Sequence, residues 1–213
     1  MVAELISVGT EILLGNIVNT NAAYLAEKCA LLGLSLYHQS VVGDNEARME
    51  DTIRRALERS DVVILTGGLG PTKDDLTKEV TAKVFKKALC EDAHTKERIM
   101  EFFQKIHNGE KITENNWKQA LIPEGAIIVE NQNGTAPGLI VIGDEGSGYE
   151  GKRAILIPGP PNECIPMFET QIAPYLSDLQ PEGIYSSMVK VCAIGESRAE
   201  TMVADLMDAQ TNP

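Results

Sequence analysis

The sequence has few basic residues. Its 213 residues include 19 Lys and Arg against 31 Asp and Glu, which gives a formal net charge of −12. Proteins that bind nucleic acids regardless of sequence neutralise phosphates with Lys and Arg, and docking on an anionic membrane surface uses the same charges. The charge balance therefore argues against both kinds of partner, whereas it says little about the fold.

Several motifs with a well-defined chemistry are also missing. The four cysteines include no CxxC pair, so we expect reduced thiols in or near the core of a cytoplasmic protein. The three histidines have no metal-ligand spacing, and GxSxG is absent. No apolar stretch approaches the length of a membrane span, and MVAELISVG at the N-terminus lacks the basic region of a signal peptide. We therefore expect a soluble cytoplasmic protein.

Strands and helices are predicted to alternate through the first 87 residues. The expected strands are 2–8, 34–42 and 61–66, and the expected helices are 19–32, 46–59 and 74–87. The third strand, DVVILT, is a continuous apolar run, which is typical of a strand covered on both faces. This βαβ order predicts a three-layer α/β/α sandwich around a mostly parallel sheet.

The middle of the chain is expected to complete that sheet. The pattern predicts helical structure with a polar break over 94–120, strands over 126–130, 138–142 and 153–157, and a helix over 164–176. GDEGSGYEG lies between the last two strands and is typical of a hairpin turn.

The C-terminal segment is expected to be only part of a second domain. From Gln180 onward the pattern predicts one strand over 184–194 and one helix over 196–209. These are too few elements to form a core alone. We therefore divide the chain into a domain over residues 1–175 and a partial, apparently truncated α+β domain over residues 176–213.

A glycine-rich segment, ILTGGLGPTKDDLTKE, spans residues 64–79 at the end of the third strand. Glycines at such a strand end permit positive φ and close approach of a ligand to the backbone, and the following helix offers unpaired N–H groups. The segment is neither a Walker A sequence nor GxGxxG, so it does not indicate a nicotinamide cofactor. It predicts a phosphate site, although Asp74, Asp75 and Glu79 would repel a phosphate.

Two interpretations account for these carboxylates. An aspartate at this position can cap the following helix, where a negative charge is favoured by about 0.3–1 kcal/mol. Alternatively, Asp75 and Glu79, which are four residues apart and would share a helical face, hold Mg²⁺ that bridges phosphate oxygens. The second interpretation removes the conflict between a phosphate cradle and its negative charge.

Three further segments are expected at the same edge of the sheet. GTEILLGNIVNTN follows the first strand, VVGDN the second, and IPGPPNE the strand over 153–157. Taken singly, each segment has a composition that is ordinary for a turn. Because all three follow strands, we treat them together as candidate parts of the site. The residues concerned are Thr10, Glu11, Asn16, Asn19, Asp44, Pro160, Pro161 and, at a helix start, Glu163.

Five segments occur in an order that resembles a known family. They are GTEILLGNIVNTNAAYLA, VGDN, TGGLGPTKDDLTKE, NGTAPG and PGPPNE. Over residues 1–175 they resemble the N-terminal domain of the competence/damage-inducible protein A (CinA) family, which is similar to the molybdopterin-binding fold of the MoaB/MogA and MoeA proteins. In those relatives the loop runs TGGTG, then Arg-Asp, then Thr. Asp75 matches that Asp, whereas Asp74 replaces the Arg and Leu69 replaces the second Thr.

The resemblance implies a metal-dependent ADP-ribose pyrophosphatase that gives AMP and ribose 5-phosphate, with Mg²⁺, Mn²⁺ or Co²⁺ as cofactor. Full-length relatives carry a C-terminal nicotinamide mononucleotide deamidase domain, which we do not expect within these residues. We also expect a homo-oligomer. A non-catalytic nucleotide- or molybdopterin-binding module and adenylyl transfer to molybdopterin remain open, because all three functions would use the same loop.

The resemblance also implies roles for individual residues. Asp75 and Glu79 are the expected metal ligands, and Asp44 and Asp75 are the expected catalytic residues, Asp44 as a further ligand or as general base. Metal and backbone dipoles can neutralise the bridging oxygens and stabilise a leaving phosphate. The residues expected to bind substrate are Thr10, Glu11, Asn19, Gly67, Gly68, Gly70, Thr135, Gly138, Gly159 and Pro160.

Overall fold

A computed structural model describes residues 1–106, 112–180 and 190–209. Its strands are β1 (Val2–Val8), β2 (Ser35–Val42), β3 (Val62–Thr66), β4 (Leu89–Glu91), β5 (Leu121–Pro123), β6 (Ile127–Val129), β7 (Gly138–Ile142) and β8 (Arg153–Ile157). Its α-helices are α1 (Thr10–Leu13), α2 (Thr20–Leu31), α3 (Glu46–Arg59), α4 (Thr77–Val84), α5 (Ala93–Ile106), α6 (Pro161–Met167), α7 (Ala173–Leu179) and α8 (Glu196–Asp208). A 3₁₀ helix spans Glu114–Ala120, and a π-helical turn spans Phe168–Ile172.

Six strands form one mostly parallel sheet in the order β2-β1-β3-β8-β7-β6. The first four strands in that order are parallel, β7 is antiparallel to β8, and β6 is antiparallel to β7. Strand β6 therefore runs in the same direction as β8. As a result, the loops that follow β1, β2, β3, β6 and β8 all leave the sheet at one edge. The predicted hairpin between β7 and β8 is confirmed.

Helices cover both faces of the sheet, because alternate residues of each buried strand point to opposite sides. In β3, Val63 and Leu65 pack in a cluster with residues of α3 and α4. Val62 and Ile64 pack in the opposite cluster with residues of α2 and α6. This arrangement confirms the predicted three-layer α/β/α sandwich and explains why β3 is a continuous apolar run: all five of its residues are buried.

Two helix boundaries differ from the prediction. The helix predicted over 74–87 is shorter at both ends. Helix α4 begins at Thr77, whose backbone N–H donates to the Gly68 carbonyl. It ends before Lys86, where the chain has a positive φ of 56°. The helix predicted over 164–176 begins earlier, at Pro161. Proline is tolerated at the first helical position, where its missing N–H has no partner in any case.

The C-terminal elements are only partly as predicted. Helix α8 is confirmed, but residues 190–194 form no strand, and the rest of the strand predicted over 184–194 lies outside the described residues. Helix α8 has no buried residue and exposes Met202 and Leu206. The division of the chain at residue 175 stays a prediction. Within the ranges described, no helix is long and apolar enough to cross a membrane.

Candidate functional site

A cleft of about 950 Å³ lies at the edge of the sheet where β1, β2, β3, β6 and β8 end. Most of its walls come from the segments that follow these strands. The four segments after β1, β2, β3 and β8 were predicted to lie at this edge, whereas the placement of the segment after β6 was not. The predicted site residues that line the cleft are Glu11, Asn19, Asp44, Gly67, Gly68, Gly70, Asp75, Thr135, Gly159 and Pro160. Pro161 and Glu163 line it as well, whereas four other candidates, Thr10, Asn16, Glu79 and Gly138, are not among the residues that line it.

The glycine loop passes very close to the neighbouring strand. Gly67 has φ of 97°, and a Cβ built on it would lie 2.3 Å from the carbonyl oxygen of Val8 in β1. Gly68 has φ of 68°, and its Cβ would lie 2.2 Å from Oγ1 of Thr77. Both positions therefore require glycine, for conformation and for space. The Thr77 hydroxyl donates to the Gly67 carbonyl oxygen at 2.8 Å, which holds the loop in place.

The same loop presents unused backbone donors. The N–H of Gly67 donates to the carbonyl oxygen of Ile157 at 3.0 Å. By contrast, the N–H groups of Gly68, Leu69 and Gly70 donate no hydrogen bond to any residue that the structure describes. Consecutive free N–H groups in a loop of this kind form an anion-binding concavity.

Each of the two predicted catalytic aspartates is held by a threonine. One oxygen of Asp44, Oδ2, accepts hydrogen bonds from the backbone N–H and the hydroxyl of Thr10, at 3.0 and 2.8 Å. Oδ2 of Asp75 accepts the same pair from Thr72, at 2.9 and 2.6 Å. In both carboxylates Oδ1 accepts no hydrogen bond from the described part of the chain. Thr10 thus orients a cleft residue without lining the cleft.

Asp75 and Glu79 do not share a helical face. Asp75 lies in the turn before α4, so it is neither a residue of that helix nor its N-cap, which is Leu76. In the side chain of Glu79, Oε1 is 3.7 Å from Nζ of Lys118 and 3.9 Å from Nζ of Lys78. Of the two expected metal ligands, only Asp75 lines the cleft, and Glu79 faces two ammonium groups instead.

Lys118 stabilises the turn that contains Asp75 through two hydrogen bonds. Its ammonium donates to the backbone carbonyl of Thr72 at 2.9 Å and to that of Asp75. Lys78, only 6% exposed, in turn donates to the carbonyl of Lys118. No local pattern predicts this network, because Lys118 lies on the 3₁₀ helix, more than forty residues after Asp75 in the chain.

Lys78 makes stability depend on pH. Burial lowers its pKa to about 8, below the value of about 10.4 in an unfolded chain. The unfolded state therefore binds more protons between about pH 8 and pH 10.4, so this contribution to stability rises with pH in that window. Below pH 8 the buried charge costs about 3 kcal/mol. The buried thiols of Cys29 and Cys164, whose pKa burial raises to about 12, act in the opposite direction in every variant that keeps them. We therefore expect the unfolding free energy in urea to increase for the wild type relative to Lys78→Met as the pH rises from about 8 to about 10.

The exposed Lys190→Met serves as the control for that measurement, since it removes one lysine without removing a buried charge. Its unfolding free energy should follow the wild-type pH dependence. Parallel pH curves for the wild type and Lys78→Met would contradict the assignment of the effect to Lys78.

Gly138 has a packing role instead of a site role. It is buried in β7, where a Cβ would lie 2.7 Å from Cε of Met167 and 2.9 Å from the carbonyl oxygen of Leu156. Its small size lets α6 approach the sheet. The prediction that Gly138 binds substrate was drawn from its place in NGTAPG, and the structure places it away from the cleft.

Two asparagines at the start of α2 join the loops of the cleft. Asn19 is the N-cap: its side-chain oxygen accepts from the N–H of Ala22 at 3.2 Å, and its amide donates to Ser7. Asn21, which we did not predict, donates from Nδ2 to the carbonyl of Gly159 at 2.7 Å and lines the cleft. An asparagine inside a helical pattern carries no sequence signal for such a contact.

Glu163 is a further carboxylate in the cleft. It is half-buried, and Oε2 accepts a hydrogen bond from Nδ2 of Asn131 at 2.6 Å. Gly134 packs so closely that a Cβ there would lie 2.2 Å from the same oxygen. Burial raises the pKa of this carboxyl, an effect that the hydrogen bond from Asn131 opposes.

The charge of the cleft is of one sign. Glu11, Asp44, Asp74, Asp75 and Glu163 line it, and within the described ranges no Lys, Arg or His does. The structure describes no group of three Asp, Glu, His or Cys side chains that could hold a metal ion on their own. A cation bound here by one or two carboxylates would therefore need oxygens from water or from a ligand to complete its coordination.

Comparison with known proteins gives consistent results. A family model described as "Probable molybdopterin binding domain" matches residues 4–178. A CinA-like protein of Dictyoglomus turgidum is 51% identical over 213 residues, which are 100% of this chain and 50% of that protein. A CinA-like protein of Dictyoglomus thermophilum is 50% identical over the same shares. The chain thus spans about half the length of the curated relatives it matches.

Solved structures agree with this result. The crystal structure of CinA from Thermoplasma acidophilum is 36% identical with a TM-score of 0.70, over 81% of this chain and 97% of that one. MoaB, a molybdopterin biosynthesis enzyme of Thermus thermophilus, has a TM-score of 0.51 over 85% of this chain and 98% of that one. At 14% identity, MoaB shows a shared fold alone. These matches confirm the resemblance inferred from the five sequence segments: the chain belongs to the molybdopterin-binding domain family and, within it, to the CinA-like proteins.

Proposed function

We propose that this domain hydrolyses the diphosphate of ADP-ribose to AMP and ribose 5-phosphate in a reaction that requires a divalent cation. The observation that carries the proposal is the combination of free backbone donors and carboxylates in one cleft. Gly68, Leu69 and Gly70 offer N–H groups to an anion, yet the described lining has no basic side chain and five acidic ones. A phosphate can enter such a cleft only if a cation accompanies it.

The residues fit a magnesium-type ion. Mg²⁺ in phosphate sites is usually held by one or two carboxylates plus water and phosphate oxygens, so a complete protein cage is not needed. Asp75 would hold it, since one of its oxygens is free while Thr72 orients the other. Asp44, which Thr10 orients in the same way, keeps its free oxygen for the role of general base. Bound there, the cation would neutralise phosphate charge and lower the pKa of a coordinated water. Glu79 has no place in this set, because it faces two lysines.

Residues of the chain bind and orient the diphosphate and accept a proton from the attacking water. The free N–H groups of the glycine loop would hold one phosphate of the diphosphate. A water oxygen then attacks one phosphorus while the bridging P–O bond breaks, and the released phosphate leaves with the electron pair of that bond. Asp44 would accept the proton of the attacking water. The N–H donors stabilise the charge that develops on the phosphate oxygens, and they need no reorganisation to do so.

A direct assay tests the proposal. We expect incubation with ADP-ribose and Mg²⁺, Mn²⁺ or Co²⁺ to give equal amounts of AMP and ribose 5-phosphate, measured by chromatography, and EDTA to abolish the reaction. Binding of AMP and of molybdopterin should be measured alongside. Tight binding of either without hydrolysis under any of the three metals would overturn the enzyme assignment and favour a binding module or adenylyl transfer.

The full-length relatives in this family are longer than this chain. Because the relatives are about twice as long, they have room for a further domain. We propose that this is the nicotinamide mononucleotide deamidase domain implied by the resemblance. Cytoplasmic location and homo-oligomerisation likewise stay predictions.

A further inference from the structure

Glu163 and the phosphate donors lie in segments that follow two adjacent strands of the sheet. The glycine loop follows β3, and Glu163 lies in α6, which follows the adjacent strand β8. The two loops touch, since a Cβ on Gly159 would lie 3.5 Å from Cα of Gly67. Neighbouring strands are about 4.8 Å apart. A group attached directly to a phosphate on the glycine loop can therefore reach Glu163.

The Glu163 carboxylate is oriented but has an acceptor to spare. Asn131 donates to Oε2, and Gly134 packs against that oxygen, so the side chain has little freedom. Oε1 accepts no hydrogen bond from any described residue. An acceptor of this kind gains from a ligand that brings hydroxyl donors, because a hydrogen bond to an ionised group is about twice as strong as one between neutral groups.

The charge of Glu163 limits what can lie against it. A phosphate beside this carboxylate would be repelled. No basic residue of the described lining could offset the repulsion. The part of a nucleotide that fits is neutral and rich in donors, and a vicinal diol, whose two hydroxyls can both donate to one carboxylate, matches both requirements. Carboxylates recognise ribose in this way in dinucleotide-binding folds.

We propose that Glu163 is a specificity-determining residue that binds the 2′,3′-diol of a ribose joined to the phosphate on the glycine loop. Asn131 and Gly134 position its carboxylate. The inference rests on the proposed function only in taking a nucleotide as the ligand. The inference is tested by measuring whether the protein prefers a nucleotide with a ribose diol. This preference does not depend on whether the protein cleaves the diphosphate.

The experiment compares binding of AMP and 2′,3′-dideoxy-AMP by calorimetry in the presence of Mg²⁺. For the wild type we expect AMP to bind at least about 10-fold more tightly. Glu163→Gln keeps the size of the side chain and an oxygen for Asn131, but it removes the charge. In this variant we expect the preference to fall to about 2-fold or less through weaker AMP binding, with the affinity for dideoxy-AMP unchanged. Glu124→Gln, an exposed residue outside the cleft, is the matched control and should behave as the wild type.

Four results would overturn the inference. Equal weakening of both nucleotides by Glu163→Gln would mean that Glu163 only shapes the cleft. Tighter binding of both would mean that its charge acts on the phosphate. No preference for AMP in the wild type, or no nucleotide binding, would remove the diol site altogether. If the preference is present and depends on Glu163, but ADP-ribose is not hydrolysed, then the proposed enzyme function fails and this site stands.

Discussion

Replacement of Asp75 by Asn should abolish most metal-dependent turnover while leaving the fold intact. The Oδ1 atom of an asparagine can accept the same two hydrogen bonds that Thr72 donates to the carboxylate. Unfolding without metal should therefore change by about 1 kcal/mol or less. As a metal ligand, however, Asn brings no negative charge to the cation. Loss of a residue that only positions a metal ligand lowers metal affinity or activity by about 10–100-fold. Loss of the metal ligand itself should therefore lower kcat by at least about 100-fold.

The measurement pairs turnover of ADP-ribose with thermal unfolding, with and without Mn²⁺ plus nucleotide. The wild type should be stabilised by the added ligands, because they bind only the folded state, and Asp75→Asn should lose most of that stabilisation. Asp178→Asn, which removes an exposed carboxylate outside the cleft, controls for the change in net charge. An Asp75→Asn protein that keeps both turnover and ligand stabilisation would show that Asp75 serves the turn alone.

Replacement of Gly67 by Ala should be among the most damaging single changes in this domain. A non-glycine residue in the left-handed region costs about 1–2 kcal/mol. In addition, the new Cβ would lie 2.3 Å from the carbonyl oxygen of Val8, and two backbones in one sheet cannot separate without breaking pairing. Overpacking of a well-packed core costs a further 1–3 kcal/mol or so. We expect a loss of about 3 kcal/mol or more in urea unfolding.

Gly148→Ala separates the two causes. Gly148 has φ of 89°, close to that of Gly67, but a Cβ there meets no atom within 4 Å. This variant should lose only the conformational cost of about 1–2 kcal/mol. Equal losses for both glycines would mean that the close approach to β1 contributes nothing. Because Gly67 directly precedes the free donors of Gly68, Leu69 and Gly70, Gly67→Ala should also lose nucleotide binding under conditions in which it remains folded.

The layered fold could be predicted from the sequence because its signals are local. Continuous apolar residues in β3 indicate burial on both faces, and the alternation of strands with helical patterns leaves few topologies other than a parallel sheet. The glycines at the end of β3 could be predicted for the same reason, since positive φ is a property of a single residue. Helix ends were less predictable: the turn at residues 71–76 delays α4 by three residues, through a hydrogen bond from Thr77 to Gly68.

Apart from Thr72, which lies three residues before Asp75, the partners of the site residues could not be predicted, because they come from distant parts of the chain. Asp75 and Glu79 are four positions apart, yet one lines the cleft and the other faces Lys118 and Lys78. Sequence spacing specifies a shared face only inside a helix, and Asp75 lies before one. In the same way, Gly138 belongs to a motif whose neighbour Thr135 lines the cleft, but its pairing in β7 directs it toward α6.

By itself, then, the sequence determined the order of strands and helices, the edge of the sheet at which the polar loops gather, the glycine requirement of the loop after β3 and its excess of negative charge. These are properties of composition and of short periodic patterns. Only the tertiary structure decided which carboxylates share the cleft, that Thr10 holds Asp44, and that Asn131 fixes Glu163. Such contacts join residues up to 34 positions apart, and sequence separation carries no record of them. Packing of the sheet and its helices brings those residues within hydrogen-bond distance.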